Sequence, residues 1–146
     1  MKGPFKCTHV KSMRTLSEPL TATEVEAFRA QFVALLEESR EIRGIVYVWR
    51  TLKDIPRLRG ASPIVYIGQT KHSWYDRYIR KVEWETTNYW SRYQHIIETF
   101  GPIWIDIYET KNPKVTENRF LYQYQESNME RPPINIQAYT LSLPTT

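Results

Sequence analysis

Five side chains of this 146-residue chain have types and spacing that suit chemistry: Tyr47, Tyr66, Arg77, Glu117 and Asn135. An arginine is a planar, permanently charged fork that grips a phosphate through paired hydrogen bonds. A glutamate offers oxygen to a hard cation or a proton. The tyrosines sit in the apolar runs GIVYV (44–48) and VYIGQT (65–70), where a core role also suits them. Each of the others has an ordinary reading too. Arg77 fits a solvated helix face. Glu117 follows Asn112-Pro113 closely and fits the positive end of a helix. Asn135 fits a turn after Pro132-Pro133.

The elements around these residues can be read from pattern. Residues 1–20 are basic and irregular, with Lys2, Lys6, Lys11 and Arg14, and read as an arm. Thr21 and Glu24 make a capping box, and Leu20 and Val25 a hydrophobic staple. Val25, Phe28, Phe32, Leu35 and Leu36 then recur at helical spacing to near Arg40. GIVYVWR (44–50) and PIVYIGQ (63–69) suit strands. Residues 51–62 between them read as a long loop, punctuated by Pro56 and Gly60 and charged by Lys53, Arg57 and Arg59. Such loops are often functional, and those three cations are candidates for phosphate contacts.

A helix is expected after Ser73, carrying Arg77, Tyr78, Arg80 and Lys81. Another runs from about Tyr89 to Phe100, ended by Gly101-Pro102. IWIDIYE (103–109) alternates as a third strand, and Asn112-Pro113 starts a helix over 114–127. A short extended piece, INIQAY, follows the two prolines. The aromatic region Trp84, Tyr89, Trp90 and Tyr93, interleaved with Arg92, fits either a core face or a surface that stacks on bases. The expected fold is α+β: a small, mainly antiparallel, three-stranded sheet flanked by helices, with an extra N-terminal helix. Residues 1–43 form the arm and packed helix, and 44–146 the core, in one domain overall.

Composition narrows the partners. The net charge of +4 permits a polyanion without demanding one. The single cysteine, Cys7, excludes an intrachain disulfide and a thiolate zinc site. A reducing compartment, the cytoplasm, is the simplest expectation. The sequence has no signal-peptide pattern and no apolar run long enough to cross a membrane.

The pair GIVYV and VYIGQT resembles the two half-motifs of the GIY-YIG nucleases. Val46 intervenes in the first, so either Gly44 is shifted by one place or the strand carries a bulge. Taken with Tyr47 as the first tyrosine, Ile45 stands at the glycine position. The downstream pattern is also similar to the family's: Arg77 in SWYDRY, eleven residues after Tyr66, Glu117 in KVTENRFL, and Asn135 in RPPIN. The resemblance covers about residues 44–138.

It implies metal-dependent hydrolysis of a phosphodiester, most simply in double-stranded DNA. Such a reaction needs an activated water, charge stabilisation on phosphorus and help for the leaving oxygen. Glu117 would anchor Mg²⁺ or Mn²⁺, which keeps most of its waters and so needs few protein ligands. Arg77 would hold the scissile phosphate. Tyr47 would act as base or orient the nucleophile, Tyr66 would hold phosphate or water, and Asn135 would brace the site. A free phenol has a pKa of about 10, so a tyrosine base needs nearby cations, for which Lys71, His72 and His95 are candidates. Arg80, Lys81, Trp90 and Arg92 join the loop cations as candidate nucleic-acid contacts.

Homing members of the family carry a long DNA-binding tail, whereas this chain ends about ten residues after Asn135. A restriction-type endonuclease, working in some cases as a homodimer, is therefore the expected subtype, and a structure-selective nuclease is next. Two other classes remain: a nucleic-acid-binding module that kept the fold without catalysis, and a protein-interaction domain whose charge is incidental.

Overall fold

Residues 43–73 fold back on themselves as one long antiparallel hairpin, β2 (Arg43–Pro56) and β3 (Ala61–Ser73). Isoleucine, valine, tyrosine and tryptophan fill its middle, side chains that pack well on a pleated surface. The computed structural model describes residues 4–135. Of the extended piece expected over INIQAY, only Ile134 and Asn135 fall within them.

The sheet has four strands, not three, in the order β1-β4-β2-β3, each pair antiparallel. β4 (Ile103–Thr110) lies beside β2 as its alternation predicts. The extra strand, β1 (Val10–Thr15), comes from the segment read as an arm, and it pairs with β4 from Val10 opposite Thr110 to Thr15 opposite Asp106. Its sequence, VKSMRT, has no apolar alternation because it is a largely exposed edge strand. The ladder and a few anchors hold it. Phe5, Leu16 and Leu20 are buried. Arg50 Nε and Thr15 Oγ1 donate to the buried Asp106 carboxylate at 2.7 and 2.6 Å, which ties β2, β4 and β1 together.

Helices cover both faces. On one lie α1 (Val25–Glu38), α2 (Trp74–Tyr78), α3 (Val82–Asn88) and α4 (Trp90–Phe100), packed over Ile45, Tyr47 and Trp49. On the other, α5 (Pro113–Asn128) sets Phe120 and Tyr124 against Val46, Val48, Ile67 and Tyr108. α1 buries Phe28, Phe32, Leu35 and Leu36 as its periodicity predicts. Its start differs from the expected capping box. The helix begins at Val25, and the Gln31 side chain reaches back to the Thr21 and Ala22 N–H groups and the Thr21 hydroxyl. Gln31 thus accepts from the Thr21 N–H that Glu24 was expected to satisfy.

The expected loop over 51–62 is also corrected. Residues 51–54 bulge out of the ladder opposite Pro63, pairing resumes at Ile55–Ser62, and Arg57–Gly60 makes the turn. Pro63 has no N–H to give to the ladder, and Thr51 Oγ1 donates instead to the Lys53 and Pro63 carbonyls.

Candidate active site

Tyr47 lies directly opposite Gly68 in the hairpin, and Trp49 opposite Tyr66, so all four share one face. β2 runs in regular register with β4 from Ile45 to Thr51. The irregularity in the first half-motif falls at Gly44, whose φ of +69° suits glycine, opposite the two residues Lys71 and His72. Gly68 has a steric reason to be glycine. A Cβ there would stand 2.5 Å from Tyr47 Cε2 and 2.7 Å from its hydroxyl oxygen. The Tyr47 ring therefore lies across the backbone of β3 and reaches toward Tyr66, with ring centroids 5.9 Å apart.

β3 passes straight into α2. Ser73 caps that helix, its Oγ accepting from the Asp76 N–H at 3.0 Å. Trp74 and Tyr78, four residues apart, share the inward face, and both pack on Tyr47. Arg77 takes the rim with its guanidinium 5.3 Å from the Tyr78 ring centre. The hydroxyls of Tyr47, Tyr66 and Tyr78 act on one another, and the Arg77 charge bears on both Tyr47 and Tyr66.

Burial raises the Tyr47 phenol above its ordinary pKa, and the pull of Arg77 does not offset it. Tyr66 shifts the same way, again by burial, opposed by Arg77 and reinforced by Glu117. Tyr78 is pushed well up by burial and by its two phenolic neighbours. The expectation that cations lower a tyrosine here is therefore corrected: all three are neutral phenols at ordinary pH. Lys71, His72 and His95 are not among the main influences on them.

Glu117 comes from the second turn of α5, half-buried, and its charge reaches Tyr66. Desolvation raises its pKa, and no cation counters that. Asn135 clamps the second half-motif from outside. Its Oδ1 accepts from the Ile67 N–H at 2.9 Å and its Nδ2 donates to the Ile67 carbonyl at 2.8 Å. The neighbouring Ile134 N–H donates to Val65 O. Together they occupy backbone groups on the edge strand that carries Tyr66 and Gly68.

Outside this cluster the predicted residues scatter. His72 is held by Arg43, which donates to its Nδ1 at 3.0 Å and also pairs with Asp76. His95 sits on α4 beside Thr99 and Phe100. Lys53 is exposed on the bulge. Arg57 pairs with Glu130 and donates to the Arg131 carbonyl, and Arg59 donates to the Ser127 and Glu126 carbonyls, so both fasten the hairpin tip to the end of α5. Arg80 is exposed. Lys81 lies over the Tyr78 ring, its pKa lowered by burial and then by Arg77. Trp90 packs on Phe28, and Arg92 stacks on Tyr89. Only Trp84 of that aromatic region is well exposed.

Sequence reading missed Tyr78 as a member of the cluster, and the role of Gly68. The i, i+4 spacing of Trp74 and Tyr78 was the available signal for the first. Arg77 also opens on a groove of about 540 Å³ between the end of β3 and the start of α5, with Lys71, His72 and Lys114 along its walls. Among the described residues no three histidine, cysteine or carboxylate side chains gather as a metal cluster, and no helix is long and apolar enough to cross a membrane.

No protein family, curated protein or solved structure matches this chain.

Proposed function

We propose that this protein is a metal-dependent endonuclease of GIY-YIG type that hydrolyses phosphodiester bonds in double-stranded DNA. The observation that carries the reading is convergence: across 71 residues of sequence, Tyr47 and Tyr66 act on one another, Arg77 bears on both, and Glu117 bears on Tyr66. A folding core has no need to bring a half-buried carboxylate that no cation offsets up to the Tyr66 phenol, since a charge in such a place costs stability.

Glu117 also fits a metal. Its charged form is disfavoured by burial alone, the situation that a bound divalent cation relieves. Mg²⁺ or Mn²⁺ would supply Lewis acidity at phosphorus and a source of protons for the leaving oxygen. The remaining work falls to the chain. Arg77 neutralises and orients the scissile phosphate. Tyr47, a neutral phenol, aligns the attacking water through its hydroxyl, and Tyr66 and Tyr78 fix the direction of that hydroxyl. Asn135 and Gly68 keep β3 where those groups meet. A restriction-type enzyme is the favoured subtype: the N-terminal segment and the α3–α4 region are the additions through which specificity would enter, with a second copy of the chain as a natural partner on duplex DNA.

Incubating the purified protein with plasmid and Mg²⁺, with and without EDTA, tests the reading. Discrete fragments that disappear with EDTA, and fall by roughly 100-fold or more in rate in Glu117→Ala, are expected, since losing one preorganised charge-stabilising group typically costs that much. Intact plasmid, branched DNA and RNA under both Mg²⁺ and Mn²⁺ would overturn cleavage and favour the binding module.

A further inference from the structure

Three cations, Arg77 among them, line one groove that holds no carboxylate. Lys71 leaves the end of β3, Arg77 stands on α2, and Lys114 lies in the first turn of α5. All three are exposed. The ion pairs among the described residues engage Lys11, Arg29, Arg40, Arg43, Arg50 and Arg57, and none engages these three. Like charges gathered without a counter-charge repel one another, so the arrangement costs the free protein stability. It is relieved by an anion.

The wall chemistry says which kind. Gln69, Thr70 and Asn112 add neutral polar groups, and no carboxylate lines the groove. His72 accepts from Arg43 through Nδ1, which leaves Nε2–H as its donor. The helix end itself adds little, because Pro113 has no N–H and Asn112 already accepts from the Val115 N–H. Side-chain donors therefore dominate. A groove of about 540 Å³ with Arg77 on its wall suits an extended chain of phosphates rather than a single small anion.

We propose that this groove binds the sugar–phosphate backbone on one side of the scissile bond, with Lys71 and Lys114 each contacting a phosphate next to the one held by Arg77. The assignment rests on the nuclease reading for its position relative to the cut. It moves the nucleic-acid contact away from Arg57 and Arg59, whose guanidinium groups are already engaged by the end of α5 and the residues just after it.

The test is equilibrium binding of a fluorescein-labelled mixed-sequence DNA duplex in EDTA, over a range of salt. Each phosphate contact contributes about 0.9 to the slope of log K against log salt. Lys71→Ala/Lys114→Ala should flatten the slope by about 1.8 and weaken binding across sequences alike. Circular dichroism should be unchanged, since both side chains are exposed. An unaltered slope overturns the groove, even where the wild-type protein cuts plasmid with Mg²⁺. A flattened slope in a protein that never cuts upholds the groove and rejects the nuclease. Absence of binding by the wild type at low salt overturns both.

Discussion

The two ends of the β2–β3 hairpin both meet α5, and both carry cations, yet they use them in opposite ways. At the tip, Arg57 and Arg59 are consumed. Arg59 donates to carbonyls in the last turn of the helix, where the dipole also favours positive charge, and Arg57 donates to the Arg131 carbonyl just beyond it and pairs with Glu130. At the other end, Lys71, Arg77 and Lys114 surround the amino end of the same helix and are left without a counter-charge. Aligned dipoles make that end positive already. A cluster of free cations at the end where they are least welcome is poor design for stability. It is good design for meeting a polyanion. Satisfied cations hold a fold, and unsatisfied ones wait for a partner.

Gly68→Ala is the sharpest way to disturb the active end. The added methyl enters the Tyr47 ring, which Trp74 and Tyr78 block from behind. Overpacking of this kind costs about 1–3 kcal/mol. Displacing a reacting group by about 1 Å costs roughly 100-fold in rate. Cleavage should therefore fall by about two orders of magnitude while the protein still unfolds cooperatively. Normal turnover in this variant would mean that Tyr47 takes no part in the reaction.

At the tip, Arg57→Ala should do the reverse. It removes a largely buried ion pair with Glu130 and a 2.7 Å bond to the Arg131 carbonyl. A stability loss of about 1–3 kcal/mol, seen in denaturant unfolding, is expected. The salt dependence of DNA binding should not move. A flatter slope would show that the two ends are less different than their geometry indicates.

The smallest effect concerns Glu117 and stability. Its folded pKa is raised by burial. A raised value means that the folded protein holds this proton more tightly than the unfolded chain, so the stabilisation is full below the ordinary carboxylate range. It is lost as pH rises through the raised value. Glu117→Gln, which stays neutral, should thus have a slightly higher Tm than wild type at neutral pH without metal, and the gap should close as pH falls. Mg²⁺ should narrow the gap at neutral pH by binding the wild-type carboxylate. A wild-type protein that is the more stable at neutral pH without metal would remove the strain on which the metal assignment leans.

The elements with clear local signals were legible: α1 by its apolar periodicity, β4 by its alternation, and α4 and α5 by the Gly101-Pro102 and Asn112-Pro113 pairs that end one and start the other. Tyr47, Tyr66, Arg77, Glu117 and Asn135 were singled out in the sequence by the resemblance of their motifs and order to those of a nuclease family. β1 was not legible. An edge strand that exposes most of its side chains has no reason to alternate, and its partner lies about a hundred residues away in sequence. The hairpin tip was misread because Pro56 and Gly60 mark turns without telling how far the ladder runs on either side. Arg57 and Arg59 looked free because their acceptors, chiefly backbone carbonyls at and just beyond the end of α5, have no sequence signature.

The chain by itself thus determined which side chains point inward and in what order the chemistry-bearing residues occur, since both follow from local periodicity. Only the tertiary structure decided which charges are cancelled and how strongly the phenols hold their protons. Both depend on groups distant in sequence being brought within a few ångströms and shielded from water, and local pattern carries no record of either.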